Sequence, residues 1–160
     1  MAELEPLHAG HAAAVLDFEQ ANRAYFALSI SDRGDDFFEH FTERHHESLA
    51  EQETGARAFY VLVDEDGAVL GRFNLYDIDG HGADLGYRIA EHAAGRGLAT
   101  EAVREMIRLA ATRHGLRELR AATSHENVAS QKVLIKNGFV AVGPASPGGK
   151  PGVLYQRDIG

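Results

Sequence analysis

Gly95 and Gly97 flank Arg96, and an apolar-periodic run begins directly after them at Leu98. Bare backbone and one cation at the mouth of a helix suit an anion. The first N–H groups of a helix lack partners within it, and the helix dipole adds positive potential there. Glycine lets a phosphate oxygen come close to the backbone because no Cβ intervenes, and Arg96 can add a charge-assisted hydrogen bond. A pyrophosphate fits such a loop. So does a plain turn into a helix, and the loop alone does not separate the two. A dinucleotide fingerprint needs a further glycine and an acid at the end of the next strand. Thr100 stands at the glycine position, and the next strand ends "AATS". A phosphate loop of the G-x-x-x-x-G-K-[ST] type is also missing: Gly149-Lys150 has Pro144 at the first glycine position and Pro151 after the lysine. That segment reads as a surface loop.

Other residues could move protons or hold metal. Asp84 sits in a strand-like run, and alternation puts it on one face with Gly86 and Arg88. It reads either as a solvated strand carboxylate or as a general base. His125 and Glu126 precede Asn127, where a surface role at a helix entry is favoured. His81 falls in a tight turn. His40, His45 and His46 lack the H-E-x-x-H arrangement, and His45 lies on an apolar face as a core-edge residue, so no metal is expected. Tyr25 and Phe26 could contact a substrate, but packing is the favoured role. There are no cysteines, so disulfides, thiolate zinc sites and cysteine nucleophiles are excluded.

These residues need elements to position them. "ELEPL" suggests a short first strand. "HAGHAAAVLDFEQAN" has the helical spacing of Ala12, Val15, Leu16 and Glu19. "NRAYFALS" reads as a break, and "DDFFEHFTERHHESLAEQ" as one second helix with Asp35 and Asp36 in its first turn. Residues 58–90 change to strand period, with turn signals at Asp66-Gly67 and around Gly80 and Gly82, and so predict three antiparallel strands. A helix from about Leu98 to His114-Gly115 follows, then the strand "LRELRAAT". Asn127 is an N-cap candidate for a short helix that ends at Asn137-Gly138. "FVAVG" and "VLYQRDI" form the last two strands. Strand, helix and strand around residues 83–124 make one parallel crossover in a mostly antiparallel sheet, hence a mixed α/β domain.

The length of 160 residues fits a single domain that buries about 70% of its unfolded surface. The net charge of −8 argues against nucleic acid as a partner and is compatible with an amine substrate. No apolar run approaches the ~18 residues of a membrane span. The N-terminus lacks the pattern of a signal peptide, so cytoplasm is the default location and no membrane partner is expected.

Two segments resemble the GCN5-related N-acetyltransferases. "LGYRIAEHAAGRGLATEAV" resembles the family's coenzyme A pyrophosphate motif, Q/R-x-x-G-x-G/A. "NVASQKVLIKNGF" resembles its N-x-x-S/A…K-x-G-F segment through Asn127, Ser130, Lys136, Gly138 and Phe139. With the order of elements, the resemblance covers roughly residues 3–159, and it is strongest to the branch that includes the ribosomal-protein alanine N-acetyltransferases. It implies acetyl-CoA as donor, a GNAT-like acyltransferase fold with one splayed parallel junction, and a single domain over 1–160. It also implies that Arg88, Ile89 and Ala90 line the pantetheine. Gly95, Arg96, Gly97, Leu98 and Ala99 would hold the pyrophosphate, and Asn127 and Ser130 would sit near the thioester. Two departures stand out. Ala94 replaces the usual Gln or Arg. Leu134 occupies the place of a tyrosine that protonates the leaving thiolate, so that role passes to Ser130, another residue or water.

The implied chemistry depends on the acceptor. A lysine-like amine is neutral in only about one molecule in 2,500 at pH 7, an α-amine in about one in seven. A base therefore matters far more for the first, and Asp84 is the candidate by position. The acceptor expected is a protein N-terminus or a small-molecule amine; a homodimer is possible. The competing reading is a catalytically silent module that binds acyl-CoA as a sensor or partner protein.

Overall fold

The computed structural model describes residues 2–160. Seven strands form one sheet in the order β1-β2-β3-β4-β5-β7-β6. They are β1 (Glu3–Pro6), β2 (Ala58–Val63), β3 (Val69–Tyr76), β4 (Gly82–Ile89), β5 (Glu118–Ser124), β6 (Val140–Ala145) and β7 (Gly152–Asp158). All neighbouring pairs are antiparallel except β4 and β5. Placing β7 between β5 and β6 lets the last strand close the hairpin that the chain opens at Val140. No helix among the described residues is long and apolar enough to cross a membrane.

Among the described residues, six α-helices flank the sheet: α1 (Ala12–Ala21), α2 (Arg23–Ala27), α3 (Asp35–Glu39), α4 (Phe41–Thr54), α5 (Leu98–Thr112) and α6 (Val128–Lys136). Two expectations are corrected. The break expected over residues 22–29 contains the short helix α2. The single helix expected over 35–52 divides at His40, whose backbone (φ −113°, ψ 30°) leaves the helical region. The division lets Phe37 and Phe41 meet edge to face, with ring centroids 5.6 Å apart, while His45 turns inward. Its Nε2 donates to the His8 carbonyl at 3.0 Å. Burial lowers the His45 pKa, which keeps the ring neutral in its apolar setting.

The sheet sorts its side chains by alternation. Phe73 and Tyr87 share the face covered by α5 and α6, and their rings stack 5.5 Å apart. α5 presents Ala102, Val103, Met106 and Ala110 to the core. Arg72 and Arg88, cross-strand partners in β3 and β4, share the opposite face with α1. There Glu19, only 1% exposed, accepts from Arg72 at 2.8 Å, from Arg88 at 3.1 Å and from Arg33 at 3.1 Å. One carboxylate thus ties α1, the segment after α2 and two central strands together.

Burial alone would raise the Glu19 pKa, but Arg33, Arg88 and Arg72 together outweigh it and hold the carboxyl below its usual range. A group with a depressed folded-state pKa gives stability that is fully present above its unfolded pKa and lost as pH falls through the folded value. Removing the carboxylate leaves buried guanidinium groups uncompensated, which typically costs about 3–5 kcal/mol. Glu19→Gln is therefore expected to lower the unfolding free energy by about that amount in urea titrations at pH 7. The gap between variant and wild type should close as pH falls below the ordinary carboxyl range.

Candidate active site

β4 and β5 stay paired for only three positions: Gly82 with Glu118, Ala83 with Leu119 and Asp84 with Arg120. Beyond Asp84 they part. β5 continues alongside β7 to Ser124, and β4 continues alongside β3 to Ile89. One edge of β4 therefore faces a gap. The Ala90 N–H donates to the Leu70 carbonyl of β3 at 2.8 Å. Hydrogen-bonding direction alternates along a strand, so the backbone groups of Tyr87 and Ile89 point the other way, into the fork.

A two-lobed cleft occupies the fork. One lobe, about 290 Å³, is lined by Ile89, Gly95, Gly97, Ala99, Lys132 and Lys136. The other, about 340 Å³, is lined by Arg33, Asn74, Tyr76, Thr123, Ser124 and Lys150. Tyr87, Arg88, Asn127 and Ser130 belong to both walls, where the lobes meet.

The glycine loop borders the first lobe. Gly95 (φ 77°) and Gly97 (φ 78°) are in the left-handed region, and a Cβ on either would meet no atom within 4 Å. Space, not packing, lies before them. Gly97 caps α5 without a side chain. The first turn bond runs from the Glu101 N–H to the Gly97 carbonyl at 3.1 Å, so the N–H groups of Leu98, Ala99 and Thr100 have no helical partner. Ala99 and Thr100 line the lobe. The Leu98 side chain turns away to line a separate hollow with Leu4 and Leu62. Arg96 is exposed and makes no ion pair among the described residues.

At the meeting point, Asn127 caps α6, its side chain accepting from the Ser130 N–H at 3.2 Å. That cap fixes the turn that carries Ser130. The Ser130 Oγ and the Tyr87 hydroxyl are hydrogen-bonded at 2.9 Å. Burial pushes the Tyr87 hydroxyl up to about 12, against the opposing effect of the Ser130 hydrogen bond. Leu134 is buried at 1% exposure at the edge of the second lobe.

Not every residue singled out from the sequence gathers here. Ala90 is fully buried, with its N–H committed to β3. Arg88 does line both lobes, and its side chain also turns to Glu19 and lies 4.7 Å above the Phe26 ring. Burial, with Arg33 adding to it and Glu19 opposing, lowers its pKa to about 10. Asp84 sits at the crotch of the fork, its Oδ1 accepting from Arg120 Nε at 2.9 Å, and it lines neither lobe. His125 and Glu126 also lie outside both linings, and Glu126 is 3.6 Å from Lys150 Nζ. Among the described residues, no carboxylate and no imidazole lines either lobe.

Several residues of this site were not reached from the sequence as functional, among them Lys132, Lys136, Tyr87, Arg33 and Lys150. Lys132 and Lys136 are four apart on α6 and so share a face, a signal that was available. Tyr87 belongs with Leu85 and Ile89 by strand alternation, and so was also open to inference. Arg33, on an irregular segment, offered no periodicity to read. Elsewhere, Glu5, His8 and His11 bring their ligand-type atoms within 4.8 Å of one another. Both Nδ1 atoms already accept backbone N–H groups, from Gly10 at 3.0 Å and from His8 at 3.1 Å. His11 Nε2 donates to Glu5 at 2.9 Å. The trio closes a turn in the way a capping box does.

A splayed strand pair opposite a glycine-led helix is an arrangement with known counterparts. The acetyltransferase (GNAT) domain model matches residues 2–140. The chain belongs to the GNAT family. The uncharacterized N-acetyltransferase p20 of Bacillus licheniformis is 33% identical over 86 residues, which is 52% of this GNAT chain and 48% of that protein; the alignment thus spans about half the length of the relative. The fold is that of ribosomal-protein-S5-alanine acetyltransferase from Vibrio fischeri, with a TM-score of 0.91 at 22% identity over 99% of this chain and 93% of the other. It is also that of spermidine N-acetyltransferase from Vibrio cholerae, solved with CoA and spermine, with a TM-score of 0.80 at 16% identity over 99% and 95%.

Proposed function

We propose that this GNAT chain transfers an acetyl group from acetyl-CoA directly to an α-amine. The observation that carries the reading is the meeting of two lobes at Ser130, one walled by an open strand edge and a bare helix start, the other by polar side chains. The first lobe fits the donor. Free N–H groups at the start of α5 and the ammonium groups of Lys132 and Lys136 suit phosphates. The unpaired edge at Tyr87 and Ile89 suits the amides of a pantetheine arm. When bound, acetyl-CoA supplies a thioester, an acyl group activated by a thiol leaving group.

The reaction sets four tasks. The β4 edge offers fixed N–H donors for negative charge that develops on the carbonyl oxygen, with no reorganisation needed at the moment of reaction. The cleft walls bring the amine and the carbonyl carbon together, so that a C–N bond forms as the C–S bond breaks. The amine must lose a proton, and the leaving sulfur must be stabilised or gain one.

Ser130, backed by Tyr87, serves the sulfur. Full proton transfer from this pair is unfavourable. With the Tyr87 hydroxyl near 12 and a free thiol near 8.5, it would run uphill by about 5 kcal/mol. The pair therefore acts by hydrogen bonding to the developing thiolate, and water supplies the proton afterwards. A hydrogen bond to a charged group is worth about 1.5–3 kcal/mol. The amine's own proton has no carboxylate or imidazole to receive it in the cleft, and Asp84 is held by Arg120. Water is left as the base, and that favours an amine already partly neutral at pH 7. An α-amine qualifies and an alkyl amine does not.

Three outcomes follow from these assignments. Gly97→Val should remain folded, with about 1–2 kcal/mol lost to the left-handed backbone, while calorimetry detects no acetyl-CoA binding. Unchanged affinity in the folded variant would detach this loop from the donor site. Ser130→Ala should lower kcat roughly 10- to 100-fold with the KM for acetyl-CoA within threefold, and Tyr87→Phe should add little to it in the double variant. Thiol-release assays at pH 7 should give faster turnover of alaninamide than of n-butylamine, with the ratio narrowing as pH rises toward 10. Equal rates at pH 7, or a large loss in Asp84→Asn, would restore a protein base to the mechanism.

A further inference from the structure

The charge of the second lobe selects its occupant. Resting on the acyl-transfer reading, we infer that the acceptor is an amine whose own molecule carries a carboxylate, seated against Arg33 and Arg88 with Lys150 across the lobe.

The chain as a whole is acidic, with a net charge of −8, yet this lobe has the opposite sign. Arg33, Arg88 and Lys150 line it, and no Asp or Glu does. Behind the wall, Glu19 is the single carboxylate among the described residues that pairs with the guanidinium groups of Arg33, Arg72 and Arg88. Two positive charges are left over. Glu126 reaches Lys150 only at 3.6 Å and is itself 75% exposed, so it weakly offsets that ammonium.

Donors are also left over. Arg33 and Arg88 each give one terminal nitrogen to Glu19, out of five N–H donors on each guanidinium. The Arg33 Nε is buried with no partner. A carboxylate can bridge such a fork with two parallel bonds. The rest of the wall is unsatisfied as well, with two hydroxyls that can donate and one amide oxygen that accepts. Asn74 Oδ1, Thr123 Oγ1 and Ser124 Oγ have no hydrogen-bond partner, although these residues are 5%, 4% and 5% exposed. Buried polar groups seldom stay unpaired. The Thr123 and Ser124 hydroxyls, beside surplus cations, suit a carboxylate, and the Asn74 oxygen suits an N–H of the same molecule's amine or amide. A polyamine would bring further positive charge into this lobe and leave the guanidinium donors unmet.

Free amino acids and acidic peptide N-termini both carry the required carboxylate, and the adjacent carboxylate of a free amino acid keeps more of its amine protonated at pH 7. The test compares alanine, an Ala-Asp peptide amide, alaninamide and spermidine by thiol release at low salt. Either of the first two should exceed alaninamide at least tenfold in kcat/KM, and spermidine should fall below it. Which of the two leads tells the free amino acid from the acidic N-terminus. Salt should compress the differences. Arg33→Gln should shrink the carboxylate preference to below threefold, and Arg33→Glu should place spermidine above alaninamide. Lys150→Gln gives a second route to the same loss if the Arg33 variants fail to fold.

A readout free of turnover accompanies this: calorimetric binding of N-acetylalanine, N-acetyl-Ala-Asp amide and N-acetylalaninamide in the presence of CoA. At least one of the two acids should bind at least tenfold tighter than N-acetylalaninamide. Equal binding of all three, or alaninamide turned over as fast as both acids, overturns the inference. Absence of turnover with every amine would instead overturn the acyl-transfer reading, and the product-binding comparison would still decide this one.

Discussion

A strand in the middle of a sheet cannot leave its backbone groups unpaired without a penalty, because each buried N–H and C=O needs a partner. β4 breaks that rule after Asp84. Its far edge is denied β5, and the residues that follow must find other company. The residues of the candidate site are arranged around that denial. The glycine loop begins just past the end of the open edge, α6 presents Ser130 across the gap, and the segment after α2 walls the other side. Asp84 and Arg120 sit where the pairing stops, so an ion pair marks the crotch of the fork. A carboxylate held this way is suited to keeping the strands together at the point where they begin to part.

Electrostatics gives the two walls of the fork different characters. On the α5 and α6 side, the uncharged pair Tyr87 and Ser130 faces the gap, with lysines further along. On the α1 side, a buried carboxylate gathers three arginines and is outnumbered by them. That excess is local, and the composition of the chain does not reveal it.

The sequence carried the elements well because their signals are local. The turn residues and period of residues 58–90 announced three strands, the apolar face of α5 announced a helix, and Asn127 announced a cap. The segments misread are short ones, where local propensity is weak: α2, and the break at His40. The site was legible where it is made of backbone, as at Gly95 and Gly97, since glycine types report conformation directly. It was less legible where side chains from distant segments meet. Asp84 and Arg88 share a face, as alternation requires. Yet their partners, Arg120 and Glu19, lie 36 and 69 residues away, and no spacing rule connects them.

The brevity of the β4–β5 contact also divides the sheet mechanically. Strands β1 to β4 form one antiparallel ribbon, and β5, β7 and β6 form another, joined in the sheet by three residue pairs. Antiparallel hairpins assemble from near neighbours in the chain, whereas the parallel seam must wait for α5 to cross over. The seam is thus the natural place for the two ribbons to flex or to part as separate cooperative units. A molecule lying along the open edge would stand in for the missing stretch of strand and clamp one ribbon to the other. On the proposed reading, a bound donor would also be an eighth strand, and the chain would complete its own architecture each time it loads.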